Sequence, residues 1–432
     1  MSENKFAVRG YIEGYYGKPW TEEQRIEMLE YMSSLGENAY YYAPKDDPYH
    51  RKLWRKQYPE KELAALKRIV DKAAQLGVAF HYCIAPGLSM RYSSEMDFYE
   101  LCQKTRALFG IGISNFGLLL DDIPDELFFP EDKSEFGETV NAHITLCKRY
   151  LFFIKSLSKH CHLTVCPLQY HGKGTEDYIK KFASSLPGEI SVFFTGADIC
   201  SKELTVREAE EFYKVTGHKP LYWDNFPVND AEMFKEMHLA PLKGREPGLY
   251  KYSEGIISNC MEYFECNKFP LYTAAAYLSD PLGYDPEKAF SAAVEKLVPA
   301  DVRDSFFLFA DHLRTSCLND ENSRIMGEYL GKASVMRETG NEENALALLT
   351  EYTDRVRSSV NVLKKQDAPL YKELSEWLEK YYLMADILDE ALAVLKGEGE
   401  REKLTAQMKK YNDCATVLTS FCFREYIESV LQ

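Results

Sequence analysis

Two pairs of adjacent aspartates mark places where an apolar run gives way to polar residues. In FGLLLDDIPDE, Asp121 and Asp122 directly follow Leu118-Leu119-Leu120; in YYYAPKDDPYH, Asp46 and Asp47 follow Ala43-Pro44-Lys45. Two carboxylates this close do not ionise independently, so one pKa is expected to rise, leaving that group able to donate a proton while its neighbour stays charged. The competing reading is local: Asp is favoured in turns and at helix N-caps, where its short side chain bonds nearby backbone N–H groups. Lys45 offers a positive charge that would hold a carboxylate ionised. Pattern alone leaves the choice between the pairs open.

Other chemistry-bearing types are sparser. Glu13, Glu262 and Glu265 lie near the ends of apolar runs and read as structural carboxylates. The histidines are isolated apart from His160-Cys161-His162, whose alternation would place two rings on one face of a strand; with no third ligand evident, an ordinary histidine pair is the better reading. Cys260 beside Asn259 reads as a buried thiol, since no histidine shares its run. The 11 cysteines never form CxxC, so neither a zinc ribbon nor a disulfide framework is indicated, and no metal or cofactor is expected.

The elements that must position these residues are legible in the alternation of patterns. Eight short apolar runs (VRGYIEG, NAYYYAP, VAFHYCIAP, FGLLLDD, HLTVCPLQY, ISVFFTG, PLYWDN and GIISNC) are separated by helical patterns such as Glu22–Ser34, Lys61–Gln75, Met96–Phe109, Glu138–Leu157, Glu176–Ser185 and Glu203–Val215. The link from Asp230 to Glu254 is less regular, and Pro270–Leu278 reads as a closing helix. Strand–helix alternation implies a parallel sheet, and eight repeats suit an α/β fold of the closed (β/α)8 type, a TIM barrel. An open doubly wound sheet would call for GxGxxG after the first strand, which is missing. From residue 287 onward only Pro299 and Pro369 interrupt successive amphipathic helices, so a bundle of four to six helices is expected. The domain expectation is a catalytic barrel over 1–283 and an all-α helical bundle over 284–432.

Composition bounds the function. The 432 residues carry 52 Lys and Arg against 67 Asp and Glu, a formal charge of −15, which argues against nucleic acid as a partner. No run approaches the ~18 apolar residues of a membrane span, and MSENKFAVRG has no signal-peptide core, so a cytoplasmic protein without a membrane partner is expected. In a barrel of this kind, function gathers where strands end. Those ends carry carboxylates, amides, one lysine and aromatics, a set suited to a polyhydroxylated neutral ligand, whose hydroxyls need fixed partners and whose ring face packs on aromatic side chains.

Taken together and in order, GYIEGYYGKPWTEEQR, NAYYYAPKDDPYHRKLWR, APGLSMRYSS, FGLLLDDIPDE and YWDNFPVND resemble the catalytic domain of glycoside hydrolase family 84, the family of the protein O-GlcNAcases and of bacterial β-N-acetylglucosaminidases often labelled hyaluronidase. The similarity runs from about residue 7 to 283. It implies a retaining exo-β-N-acetylglucosaminidase in which the substrate's own acetamido oxygen attacks the anomeric carbon to give an oxazoline, an exception to the usual two-carboxylate scheme. By match to LLLDD, Asp121 would orient the acetamido N–H and Asp122 would be the acid and then the base. That implication selects Asp121-Asp122 over Asp46-Asp47, which become supports for Lys45.

Residue by residue, the resemblance gives Gly14 and Lys45 to sugar hydroxyls, Tyr170 to the anomeric region, Trp223 and Asn225 to the acetamido pocket, Asp230 to the 4- and 6-hydroxyls, and Asn259 to another hydroxyl. Cys260 stands where the family usually has Pro, and FFTGADIC keeps Thr195-Gly196 before diverging. The implied partner is a GlcNAc-bearing glycoprotein or glycan, and a homodimer through the helical domain is compatible with it. The −15 charge weighs against a polyanionic polymer such as hyaluronan. The alternatives are a non-catalytic GlcNAc- or glycoprotein-binding module, and a β-N-acetylhexosaminidase acting on glycan or cell-wall fragments.

Overall fold

The computed structural model describes residues 5–418 and 421–432, which pack as two compact units. The first comprises residues up to Val228, Leu242–Glu262 and Ala274–Asp285; the second comprises Asn229–Pro241, Tyr263–Thr273 and Pro286–Gln432.

In the first unit, eight parallel strands close into a barrel in chain order: β1 (Val8–Glu13), β2 (Ala39–Tyr42), β3 (Ala79–Ile84), β4 (Asn115–Leu119), β5 (His162–Cys166), β6 (Ser191–Phe194), β7 (Pro220–Asp224) and β8 (Gly255–Asn259). Closure runs through β1 and β8, with Ile12 opposite Asn259. The strands read as unbroken apolar runs because a parallel barrel buries both faces, one under the helices and one in the lumen. The lumen is filled by Ile12, Tyr41, Cys83, Leu119, Phe193 and Ile257, all buried. Pro220 is tolerated because it opens its strand.

The helices between strands are α1 (Glu22–Ser34), α2 (Glu60–Leu76), α3 (Glu95–Gly110), α4 (Pro130–Phe136), α5 (Thr139–Leu157), α6 (Asp177–Ser184) and α7 (Val206–Thr216). Their starts follow local chemistry. Thr21 and Gln24 form a reciprocal capping box on α1, and Ser94 and Thr205 cap α3 and α7. Two short 3-10 turns, Ala231–Met233 and Pro247–Lys251, occupy the irregular seventh link. The closing helix, α8 (Phe264–Ser279), begins before Pro270 rather than at it. Placing a boundary at a proline is a sound rule, but this helix runs through its proline.

The second unit contains α9 (Pro286–Leu297), α10 (Arg303–Asp311), α11 (Arg324–Glu338), α12 (Glu342–Leu363), α13 (Pro369–Glu373), α14 (Ser375–Leu395), α15 (Arg401–Asp413) and α16 (Phe421–Leu431). That exceeds the four to six helices expected, because short helices such as α13 are hidden inside longer apolar patterns. A two-residue pair, β9 (Thr315–Ser316) and β10 (Asn319–Asp320), forms a small antiparallel hairpin that periodicity did not signal. The long helix α14 buries Trp377, Tyr381, Met384 and Leu388, and packs on α12.

Glu13 resolves as structural. Its carboxylate is wholly buried at the end of β1 and accepts from Arg25 Nε at 2.7 Å, Arg25 Nη2 at 2.6 Å and Tyr40 Oη at 2.8 Å. Removing the cation alone strands a buried charge, which is costly. Arg25→Ala is therefore expected to destabilise the barrel by about 3–5 kcal/mol, read as a lower urea midpoint; an unchanged midpoint would remove this pair from the fold's supports.

Candidate active site

Each residue of the candidate site leaves the barrel at the C-terminal end of a strand. Asp121 and Asp122 follow β4 after Leu120, whose N–H still pairs with the Cys166 carbonyl at 2.9 Å. Lys45 follows β2, Tyr170 follows β5, Trp223 and Asn225 lie at the end of β7, and Asn259 is the last residue of β8. On a regular strand two successive side chains face opposite ways. The backbone solves this at Asp122, whose φ of 53° is left-handed. A non-glycine residue there costs about 1 kcal/mol or more, and Asp tolerates it better than most. The bend turns both carboxylates toward one lysine.

That lysine is the electrostatic centre. The buried Lys45 Nζ sits 3.5 Å from Asp121 Oδ2 and 3.4 Å from Asp122 Oδ2. It also lies 5.2 Å from the centre of the Tyr16 ring and 5.9 Å from that of Trp223, where a cation is attracted to the π face. Burial alone would favour neutral Lys45, but the two carboxylates outweigh it and its pKa is raised. Asp121 is buried, whereas Asp122 is about one-third exposed.

Asp122 carries a dense set of contacts. Tyr16 Oη donates to Asp122 Oδ2 at 2.8 Å, and Arg51 donates both to Tyr16 Oη at 2.8 Å and to the Asp122 carbonyl at 3.0 Å. Tyr170 Oη donates to Asp122 Oδ1 at 3.4 Å. Desolvation pushes the Asp122 pKa up, but Lys45 and the hydrogen bond from Tyr16 more than reverse it, so the carboxyl is held below its usual range. The raised carboxyl expected in the pair is therefore not Asp122, which these neighbours hold low. The omission was the cation: proximity of two acids raises a pKa only where no positive charge stands between them. A depressed pKa contributes stability above the ordinary carboxylate range, and that contribution is lost as pH falls through the folded-state value.

A second cluster stands beside the first. Trp223 Nε1 and Asn259 Nδ2 both donate to Asn225 Oδ1, at 3.0 and 2.9 Å, while Asn225 Nδ2 donates to the Ile199 carbonyl at 2.8 Å. Asn259 Oδ1 is buried with no protein partner, an acceptor of the kind a ligand hydroxyl satisfies. Gly14 passes against this cluster: a Cβ there would lie 2.5 Å from Trp223 Cζ2 and 3.0 Å from Asn259 Oδ1. Only glycine lets the β1 loop approach the indole this closely.

Gly14, Lys45, Asp121, Asp122, Tyr170, Trp223, Asn225 and Asn259 therefore gather at one mouth of the barrel. Asp230 belongs to the second unit, where its carbonyl accepts from Met233 N at 2.9 Å. Asp47 accepts from Tyr42 Oη at 2.8 Å and from Tyr58, and so serves the loop rather than the paired acids. His160 precedes β5 and donates its N–H to Ser158, while His162 Nε2 meets Ser191 Oγ at 3.2 Å; the two do not share a strand face. Cys260 is a buried thiol with a raised pKa. Tyr16 and Arg51, which the sequence pattern does not mark as site residues, join the site here. A loop tyrosine and arginine carry no period, and only the paths of the β1 and β2 loops aim them at Asp122.

A closed (β/α)8 barrel presenting paired carboxylates, a buried lysine, amides and a tryptophan at its strand ends defines the class as a barrel glycoside hydrolase. Residues 9–311 match the family model described as beta-N-acetylglucosaminidase, and the chain belongs to that family, glycoside hydrolase family 84. It is 31% identical over 274 residues to the protein O-GlcNAcases of Rattus norvegicus and Mus musculus, a match covering 62% of this chain and 29% of theirs. The matched region thus spans under a third of the length of those relatives. Among solved structures, a mutant of the Thermobaculum terrenum O-GlcNAc hydrolase is 32% identical with a TM-score of 0.92, covering 99% of this chain and 94% of that one. The structure of CpGH84B is 25% identical with a TM-score of 0.88, covering 98% and 77% respectively. Among the described residues no helix is long and apolar enough to cross a membrane.

Tyr16 is expected to act on Asp122 through its hydroxyl alone. Tyr16→Phe should raise the Asp122 pKa, visible as an upward move of its side-chain carboxyl titration by carbon-13 NMR. An unmoved titration would show that this hydrogen bond does not set the charge.

Proposed function

We propose that this chain removes terminal β-linked N-acetylglucosamine from glycoprotein or glycan with retention of configuration, the sugar's own 2-acetamido oxygen acting as nucleophile. The observation that carries the reading is the side-by-side placement of Asp121 and Asp122 on the single Lys45 ammonium. Retaining enzymes that supply their own nucleophile hold two carboxyls about 5–5.5 Å apart across the scissile bond. Two adjacent acids at the end of one strand, both facing one cation, suit a nucleophile carried by the substrate, with Asp122 serving the leaving oxygen and Asp121 the acetamido group.

In the first step the acetamido oxygen bonds to the anomeric carbon as the bond from that carbon to the leaving oxygen breaks. Asp122 delivers its proton to the departing oxygen. The buried Asp121 accepts a hydrogen bond from the acetamido N–H and stabilises the positive charge that develops as the oxazoline ring forms. In the second step water attacks the anomeric carbon, Asp122 takes its proton, and the ring opens to restore the acetamide. The Trp223 wall and the Asn225 amide frame the acetamido group, the unpartnered Asn259 Oδ1 accepts from a sugar hydroxyl, and Gly14 and Lys45 serve neighbouring hydroxyls.

A carboxyl held low by Lys45 serves as the acid once the sugar changes its surroundings. A hydroxyl bound to Lys45 draws that ammonium from the carboxylates, and the sugar expels water from the pocket. Both effects favour the protonated form, so the acid is armed by substrate rather than in advance.

Asp122→Asn should cost roughly 10²–10⁴-fold in kcat on substrates with poor leaving groups and far less on activated aryl glycosides, which need no acid for departure. Asp121→Asn should be slow on both. Binding of N-acetylglucosamine without hydrolysis of either substrate would instead support a binding module, and equal losses for Asp122→Asn on both substrates would reject the acid assignment.

A further inference from the structure

In the second unit, three potential metal donors converge: the Glu236 carboxylate, the His238 imidazole and the Cys317 thiol, whose ligating atoms lie within 4.8 Å of one another. His238 is buried. Its Nε2 meets Glu236 Oε2 at 2.6 Å, and the Cys317 N–H donates to the same oxygen at 3.0 Å. An independent observation adds a fourth atom: the Met233 thioether sulfur lies 3.1 Å from Cys317 Sγ. Two sulfurs, one imidazole and one carboxylate are a strongly mixed donor set, with a single carboxylate among the ligands. It suits a borderline-soft ion and disfavours Mg²⁺ or Ca²⁺, which demand oxygen cages.

We propose that Glu236, His238 and Cys317, with the Met233 thioether beside them, form a binding site for Zn²⁺. Tetrahedral zinc with bonds of about 2.0–2.3 Å places its ligands roughly 3.3–3.8 Å apart. The Glu236–His238 and Met233–Cys317 spacings, 2.6 and 3.1 Å, fall short of that range, so the ion enters by spreading each pair by roughly 0.7 Å, and the thiol proton leaves to solvent as the thiolate binds.

The donors sit on anchored backbone. Asn229 Nδ2 donates to the Glu236 carbonyl at 2.8 Å, and the Lys235 carbonyl accepts from Trp377 Nε1 at 3.2 Å and Val417 N at 2.7 Å. Cys317 occupies the turn between β9 and β10, whose only ladder is two residue pairs. Zinc would staple this hairpin to the 229–241 segment, giving the small ribbon a support that its own hydrogen bonds do not supply. The competing account is a plain imidazole–carboxylate pair with a thiol alongside.

The full chain, stripped with a chelator, should take up one equivalent of Zn²⁺ in a chromophoric-chelator competition, and Cys317→Ser should weaken that binding by roughly two orders of magnitude. Co²⁺ should give a thiolate-to-metal charge-transfer band that Cys317→Ser abolishes. In the unmutated chain, Zn²⁺ should slow alkylation of Cys317, followed on its peptide by mass spectrometry, so the result does not depend on the variant folding. Substoichiometric zinc, zinc binding unchanged in Cys317→Ser, or Cys317 alkylation indifferent to zinc would each overturn the site.

Discussion

The candidate site depends on one buried ammonium. Lys45 is shielded from water yet remains charged because Asp121 and Asp122 both face it, and they in turn are held together against their repulsion because it lies between them. Everything nearby serves that triangle. The left-handed turn at Asp122 brings the second carboxylate round, Tyr16 and Arg51 fix it, and the Tyr16 and Trp223 rings offer the cation two π faces. In a low-dielectric pocket, charges of this kind interact far more strongly than in water, so the arrangement is stable only as a set.

The same triangle explains how a static scaffold could present an acid on demand. A pair of carboxyls with no cation would settle the proton on one of them in advance. With Lys45 between them, Asp122 is held below its usual range, and in the proposed cycle the proton arrives when the lysine takes another partner. The barrel contributes rigidity: strand ends fix Asp121 and Trp223 while loops carry Lys45, Tyr16 and Tyr170, so the groups that must respond are on the more adaptable elements.

Much of this was legible in the chain. The eight strands announce themselves because both of their faces are buried, and the barrel and helical architecture follow from that alternation. Asp121 and Asp122 stand out because they end the cleanest of those runs. The resemblance of five segments to glycoside hydrolase family 84 was readable from order and spacing, and family membership follows from the match over residues 9–311. What escaped the sequence depends on three-dimensional approach. Tyr16 and Arg51 reach Asp122 across 106 and 71 positions, and Cys317 meets Glu236 across 81. The lowered pKa of Asp122 likewise rests on a lysine 77 positions away. Pro270 misled about α8 because the helix tolerates its proline.

The central claim, that the sugar's own acetamido group is the nucleophile at Asp121 and Asp122, is tested most directly by changing that nucleophile alone. Aryl 2-acetamido glycosides carrying zero, one, two and three fluorines on the acetyl methyl keep nearly the same shape while the carbonyl oxygen grows steadily less nucleophilic. The account predicts a steep fall in kcat/KM with each fluorine in the unmutated chain. Rates that stay level across the series would contradict it, since an enzyme that attacks with its own carboxylate or with water has no reason to sense the acetyl group.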